Sequence, residues 1–176
     1  MRNFLRKIEL NIRLLFDRQM EKKILFKVCK GNGIDVGCGS NKICSSSIGV
    51  DLTLRGDKGK YGNQKGAISQ ADVQSSGDNL PFKDESFDYV VAKHNLEHYS
   101  NPEKTLLEWK RVLKKKGKIG VIVPDNNYVD SDALDITHYS KFNLSSLSSL
   151  FKKAGLHILE KGQAIHHWSV YIIAEK

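Results

Sequence analysis

Apolar residues recur at helical spacing through the first thirty positions of this chain. Phe4, Ile8, Ile12 and Leu15, joined by Leu5, Leu14 and Phe16 and later by Ile24, Leu25 and Val28, predict one or two helices over 3–29, ended by Gly31 and Gly33. The pattern then shifts to short apolar runs at 34–36, 48–52, 67–73, 87–93 and 118–124, each predicted as a strand. Between the last two the helical period returns over 102–116. Asn101 caps it, Pro102 takes the first position, Glu103 adds an acid to the first turn, and Leu106, Leu107, Trp109, Val112 and Leu113 form its buried stripe. Lys114, Lys115 and Lys116 suit the dipole of the last turn, and Gly117 stops it. A further helix over 144–154 closes at Gly155, and last strands near 156–161 and 166–174 read as an antiparallel pair. Alternating strands and helices of this kind predict an α/β protein with a mainly parallel sheet.

Two stretches depart from that alternation. Residues 53–66 carry four glycines, mixed charge and almost nothing apolar, so a loop is predicted where a helix would join the second and third strands. The chain between Cys38 and Ser47 is short for a strand-to-strand crossover and leaves room for a helical turn or two.

Charge adds an asymmetry. The net charge is +8, and residues 1–30 hold nine Lys and Arg against Glu9, Asp17 and Glu21. The chain therefore divides into a basic amphipathic helical segment, 1–30, and a nearly neutral domain, 31–176. The simplest reading of the first is a solvated face over a core-facing stripe; the rival readings are a dock for nucleic acid, an acidic membrane surface or an acidic partner. Nothing approaches the ~20 apolar residues of a transmembrane segment. No apolar stretch of signal-peptide type opens the chain, and Cys29, Cys38 and Cys44 make no even disulfide framework, so a cytoplasmic protein with reduced thiols is expected.

In a parallel sheet, ligands sit beyond the carboxyl ends of the strands, which makes the residues there informative. The first strand carries Asp35 and runs into Gly37, Cys38 and Gly39; the second ends at Asp51; the third offers Asp72; the fourth runs into Lys93 and His94. An acid closing the second strand beside a glycine turn suits the two hydroxyls of a ribose, so a nucleoside is expected. Lys42 stands where a dinucleotide fingerprint needs its third glycine, and no phosphate loop of the G-x-x-x-x-G-K-[ST] type occurs.

The ordered set "IDVGCGSN", "IGVDL", "ADVQSSGDNLPFKDESFDYVVAKHNLEHY" and "LLEWKRVLKKKGKIGVIVPD" resembles the class I S-adenosylmethionine-dependent methyltransferases of the type-11 methyltransferase domain group. The likeness runs in order over about residues 33–125. It implies a Rossmann-like, mainly parallel sheet of about seven strands with a terminal antiparallel strand, helices on both faces and an N-terminal helix. It also implies S-adenosyl-L-methionine as cofactor. By matching position, Asp35, Gly37, Cys38 and Gly39 would form the loop around its methionine portion, Cys38 as a small filler. Asp51 would hold the ribose with Leu52 beside the adenine; Asp72 would accept from the adenine amino group with Val73 next to it. Lys93 and His94 would lie near the sulfonium and the acceptor. Asn41 stands where the family often has a small residue, and asparagine tolerates left-handed backbone.

His94 and His138 are the candidates for positioning an acceptor or removing its proton. His94, Glu97 and His98 have the spacing of one helix face, but the set lacks a distant third ligand; no metal is expected, and Glu97 reads as a structural brace. Trp109 and Trp168 read as core, His166 and His167 as packing or surface groups. The sulfonium is already activated, so such an enzyme has mainly to hold methyl and acceptor in line and exclude water. Methyl transfer to a small-molecule or sugar-like acceptor is the expected function, by a chain for which a homodimer stays open. The alternatives are an inactive methyltransferase-like binding or scaffold protein, suggested by the shortened helices, and an RNA methyltransferase docking through residues 1–30.

Overall fold

Ile34, Val36, Val50, Val90, Val91, Ala92, Ile119, Val121 and Val123 are buried almost without residue, because the strands they form are covered on both faces. The computed structural model describes residues 19–59, 65–130 and 135–176. Its seven strands are β1 (Gly33–Val36), β2 (Ile48–Asp51), β3 (Val73–Gln74), β4 (Phe87–Lys93), β5 (Leu113–Pro124), β6 (His157–Ile165) and β7 (Ser169–Glu175). They form one sheet in the order β3-β2-β1-β4-β5-β7-β6. The first five are parallel; β7 runs antiparallel to both β5 and β6. The closing pair is therefore as the pattern predicts, at slightly different limits.

One face is covered by α1 (Pro102–Val112) and α2 (Leu144–Lys153), whose Leu106, Trp109, Val112, Leu147 and Phe151 lie in the larger apolar cluster. On the other face Leu25 and Val28, in and just after the helical segment 19–26, cluster with Tyr89, Val91, Ile122 and Ile173. The expected helix over 3–29 is thus seen only in part; residues 1–18 lie outside the described residues. Asn101 caps α1 by accepting from Lys104 N at 3.0 Å, and Asn143 caps α2 in a reciprocal box with Ser146.

Several sequence expectations are corrected. The third strand is Val73–Gln74 rather than 67–73, since the preceding residues make only isolated bridges, Leu54 with Ala71 and Lys58 with Ile68. Residues 38–47 form turns and no helix. α1 ends at Val112, not at Gly117: Leu113 turns extended and pairs with Phe87, and its full burial outweighs the helical preference of the three lysines. Leu107 is 46% exposed, off the buried stripe, and Trp168 is only half-buried. Asn41 is absent from the residues with positive φ, so it needs no left-handed backbone.

α1 also positions the loop after β3. Trp109 Nε1 donates to Gly77 O at 2.9 Å, Leu80 N donates to Glu108 at 2.7 Å, and Arg111 donates to the carbonyls of Leu80 and Phe82. The chain from 77 to 82 is therefore fixed by one helix face.

Candidate functional site

Behind β1 the chain must reverse within four residues, and two glycines allow it. Gly37 and Gly39 have φ of +70° and +50°. A Cβ on Gly37 would come within 2.2 Å of Asn95 Nδ2, so the turn after β4 presses directly on the turn after β1. Gly37 N and Cys38 N both donate to Val50 O, which fixes the loop to β2. Asp35 lies beneath it, 2% exposed, accepting from Ile43 N at 2.5 Å. Burial raises its carboxyl to about 7, against the pull of the Ile43 N–H and the neighbouring lysines. The Cys38 thiol is buried as well and pushed up by desolvation and by Asp35 and Asp51, so it stays neutral and fills space.

Asp51 closes β2 under the glycine loop. Its Oδ2 accepts from Gly39 N at 2.9 Å and its Oδ1 from Thr53 N at 3.2 Å. A carboxylate has about four acceptor positions, so two stay available for a ligand's hydroxyls. Leu52 follows it, 56% exposed. Asp72 sits lower, level with Gly49, whose N–H it accepts at 2.8 Å; Lys42 Nζ at 3.0 Å and Arg55 complete its partners. The Gly49 hydrogen bond, followed by those from Lys42 and Arg55, holds it well below the usual carboxylate range. Val73 pairs with Val50 one step nearer the strand ends.

Lys93 and His94 end β4 on the opposite side of the glycine loop. His94 has φ of +50°, uncommon for a residue with a Cβ, and its N–H donates to Ile122 O. Its Nε2 lies 2.9 Å from Glu21 Oε1 and its Nδ1 3.6 Å from Glu97 Oε1. Burial would lower the imidazole, but the Glu21 charge and hydrogen bond outweigh it and raise it to about 9. A ring so engaged is no free base at neutral pH. Lys93 Nζ stands 3.7 Å from Glu21, and Ser169 Oγ donates to Glu21 at 2.8 Å. Glu21 is therefore a site-adjacent residue, although in the sequence it stands out only as one acid among the basic residues of 1–30. The available signal was its spacing: at i, i+4 and i+7 with Leu25 and Val28, it lies on the buried stripe.

After His94, a single 3-10 turn, Leu96–His98, carries Glu97 and His98. His138 comes beside them from a distant loop, its ring centroid 4.7 Å from that of His98. His166 and His167, exposed and stacked in the β6–β7 turn, stand apart from this group. A concavity lined by Asn127, Asn143, Ser148, Lys152 and Lys161 contains none of the strand-end residues.

Residues 34–121, half of the chain, match the family described as methyltransferase domain. The chain belongs to that family, whose cofactor is S-adenosyl-L-methionine. Among curated proteins it is 35% identical over 101 residues to the uncharacterized protein MJ1123 of Methanocaldococcus jannaschii, covering 56% of this chain and 47% of the relative. It is 25% identical over 136 residues to the uncharacterized methyltransferase YcgJ of Bacillus subtilis, covering 67% of this chain and 54% of the relative. This chain spans about half the length of these curated relatives. A solved SAM-dependent methyltransferase of Thermotoga maritima shares the fold with a TM-score of 0.67 and 19% identity, over 98% of both chains. Among the described residues, no helix is long and apolar enough to cross a membrane.

Proposed function

We propose that this chain binds S-adenosyl-L-methionine at the carboxyl ends of β1 and β2 and transfers its methyl group to a small-molecule or sugar-like acceptor. Asp51 carries the reading: a carboxylate fixed under a positive-φ glycine loop by Gly39 N, with acceptor capacity left for a vicinal diol. In this arrangement Asp35, Gly37, Cys38 and Gly39 surround the methionine portion of the cofactor, while Leu52 and Val73 flank the adenine. Lys93, His94 and His138 border the acceptor side. His94, locked to Glu21, positions rather than deprotonates. The helix-free stretches 38–47 and 53–59 favour one rival, a binding module of the same fold without activity. The basic segment invoked for RNA docking lies largely in residues 1–18, outside the described residues.

Calorimetric titration with S-adenosylmethionine tests this. Asp51→Ala should weaken binding by about 1.5–3 kcal/mol, the value of a hydrogen bond to a charged group. Equal affinity in both proteins refutes the ribose assignment, and no binding at millimolar cofactor favours the inactive module.

A further inference from the structure

Glu97 is 1% exposed, and among the described residues neither carboxylate oxygen has a hydrogen-bond partner. His94 Nδ1 makes an ion pair with Glu97 Oε1 at 3.6 Å, too long for a hydrogen bond. His94 supplies charge at that distance but no hydrogen bond, so the buried carboxylate keeps its acceptor positions for a closer cation or donor. One donor atom from each of Glu97, His98 and His138 lies within 4.8 Å of the others. We propose that Glu97, His98 and His138 bind a divalent first-row transition metal on the acceptor side of the site.

The hydrogen bonding around His98 suits that role. Its Nδ1 faces the Thr137 carbonyl at 3.2 Å and Thr137 Oγ1 at 3.0 Å. Thr137 Oγ1 gives its own hydrogen to Asp135 Oδ1 at 2.7 Å, so toward His98 both Thr137 oxygens accept. Nδ1 therefore carries the ring hydrogen, and Nε2 presents its lone pair. Metal-bound histidines are oriented in this way, with the second ring nitrogen donating to a carbonyl and a carboxylate standing behind. The distant third ligand that the H-x-x-E-H pattern lacks is supplied by the fold: Tyr139 N and Ser140 N donate to Glu97 O at 2.9 and 3.0 Å, and Ser140 Oγ donates to Tyr99 O. These bonds fasten the loop bearing His138 to the turn bearing Glu97.

Two imidazoles and one carboxylate select zinc and its transition-metal neighbours over calcium or magnesium. Ligands about 2.1 Å from such an ion stand roughly 3.4 Å apart in a tetrahedron, which small rotations of the three side chains would reach. Three protein ligands leave a position open. Resting on the methyltransferase reading, that position defines the acceptor class: an oxygen nucleophile, an alcohol or a phenol, acidified by the metal. Its proton leaves to solvent, an oxygen lone pair forms the bond to the methyl carbon, and the carbon–sulfur bond breaks with its electrons returning to sulfur.

The test is calorimetry of the full chain, stripped by chelator and titrated with zinc alone, then separately with S-adenosylmethionine. Wild type should bind one zinc per chain, and Glu97→Gln and His138→Ala should each weaken it at least tenfold while cofactor affinity holds within twofold. Should Glu97→Gln not fold, His138→Ala on its half-buried loop gives the same reading. Failure of wild type to bind at millimolar zinc, or equal binding by every folded variant, overturns the proposal. Zinc bound without cofactor would refute the methyltransferase reading and leave the metal site standing.

Discussion

The two halves of this sheet are held by different forces. Around β4, β5 and β7, α1 and α2 press Leu106, Trp109, Val112, Leu147 and Phe151 into one continuous cluster. Around β2 and β3, where the connections are turns and loop, Val50 and Val73 reach that cluster and polar staples add to them: Lys42 and Arg55 on Asp72, Asp72 on Gly49 N, Ser69 Oγ on Thr53 O. Leu52, Leu54 and Ile68 stay exposed there. Apolar burial contributes about 1.5–3 kcal/mol per large side chain, while exposed ion pairs contribute about 0–1 kcal/mol. Cooperative stability should therefore reside in the β4–β5–β7 half, and the nucleoside half should open locally at lower cost.

The largest effect should come from the packed half. Trp109 is fully buried and also donates to Gly77 O, so Trp109→Ala leaves a cavity and an orphaned carbonyl. It should cost about 3–5 kcal/mol of global stability in a denaturant melt. A loss below 1 kcal/mol would mean that the two halves do not differ as argued.

The packed half was also the more legible one from sequence. Asn101-Pro102-Glu103 marks the start of α1 by local chemistry, and the Val/Ile runs of β4 and β5 admit burial on both faces and little else. The end of α1 was hidden because Leu113 is drawn into β5 by a contact with Phe87, a choice that propensity cannot foresee. On the other side, 67–73 looks like a strand but makes only bridges. The glycine loop and Asp51 were legible because backbone reversal and strand-end position restrict residue type. The union of Glu97 with His138, forty-one positions on, was not, since it depends on how a loop crosses the sheet.

Asp35 sits on the seam between the halves and offers a test by pH. Its carboxyl is raised from 3.8 to about 7, so the folded state keeps a proton that the unfolded state has released. Stability attributable to this group is greatest near pH 4, falls as pH rises toward 7 and is flat above. The limiting slope is about 1.4 kcal/mol per pH unit for one proton. Wild type minus Asp35→Asn, each melted from pH 4 to 8.5, should isolate that decline; parallel profiles would place Asp35 in solvent contact. Cationic cofactor bound beside it should also release a proton near pH 6.5, seen as a calorimetric heat that depends on buffer ionisation.

The smallest effect should come from Asp72, and it separates two roles for that residue. The resemblance assigns its carboxylate to the adenine amino group, whereas here the same oxygens already face Gly49 N, Lys42 and Arg55. Asp72→Asn keeps an acceptor for Gly49 N and removes the charge. As a staple, it should cost under about 1 kcal/mol, because its side chain is partly exposed and screened by solvent. The global midpoint should then barely move, while amide exchange quickens in 53–58 and 66–72. As an adenine ligand, it should instead lower cofactor affinity without touching exchange in those segments. We expect the first outcome, with affinity changed less than twofold. The converse would make Asp72 a ligand contact and place the low-cost opening of this half elsewhere than in its salt bridges.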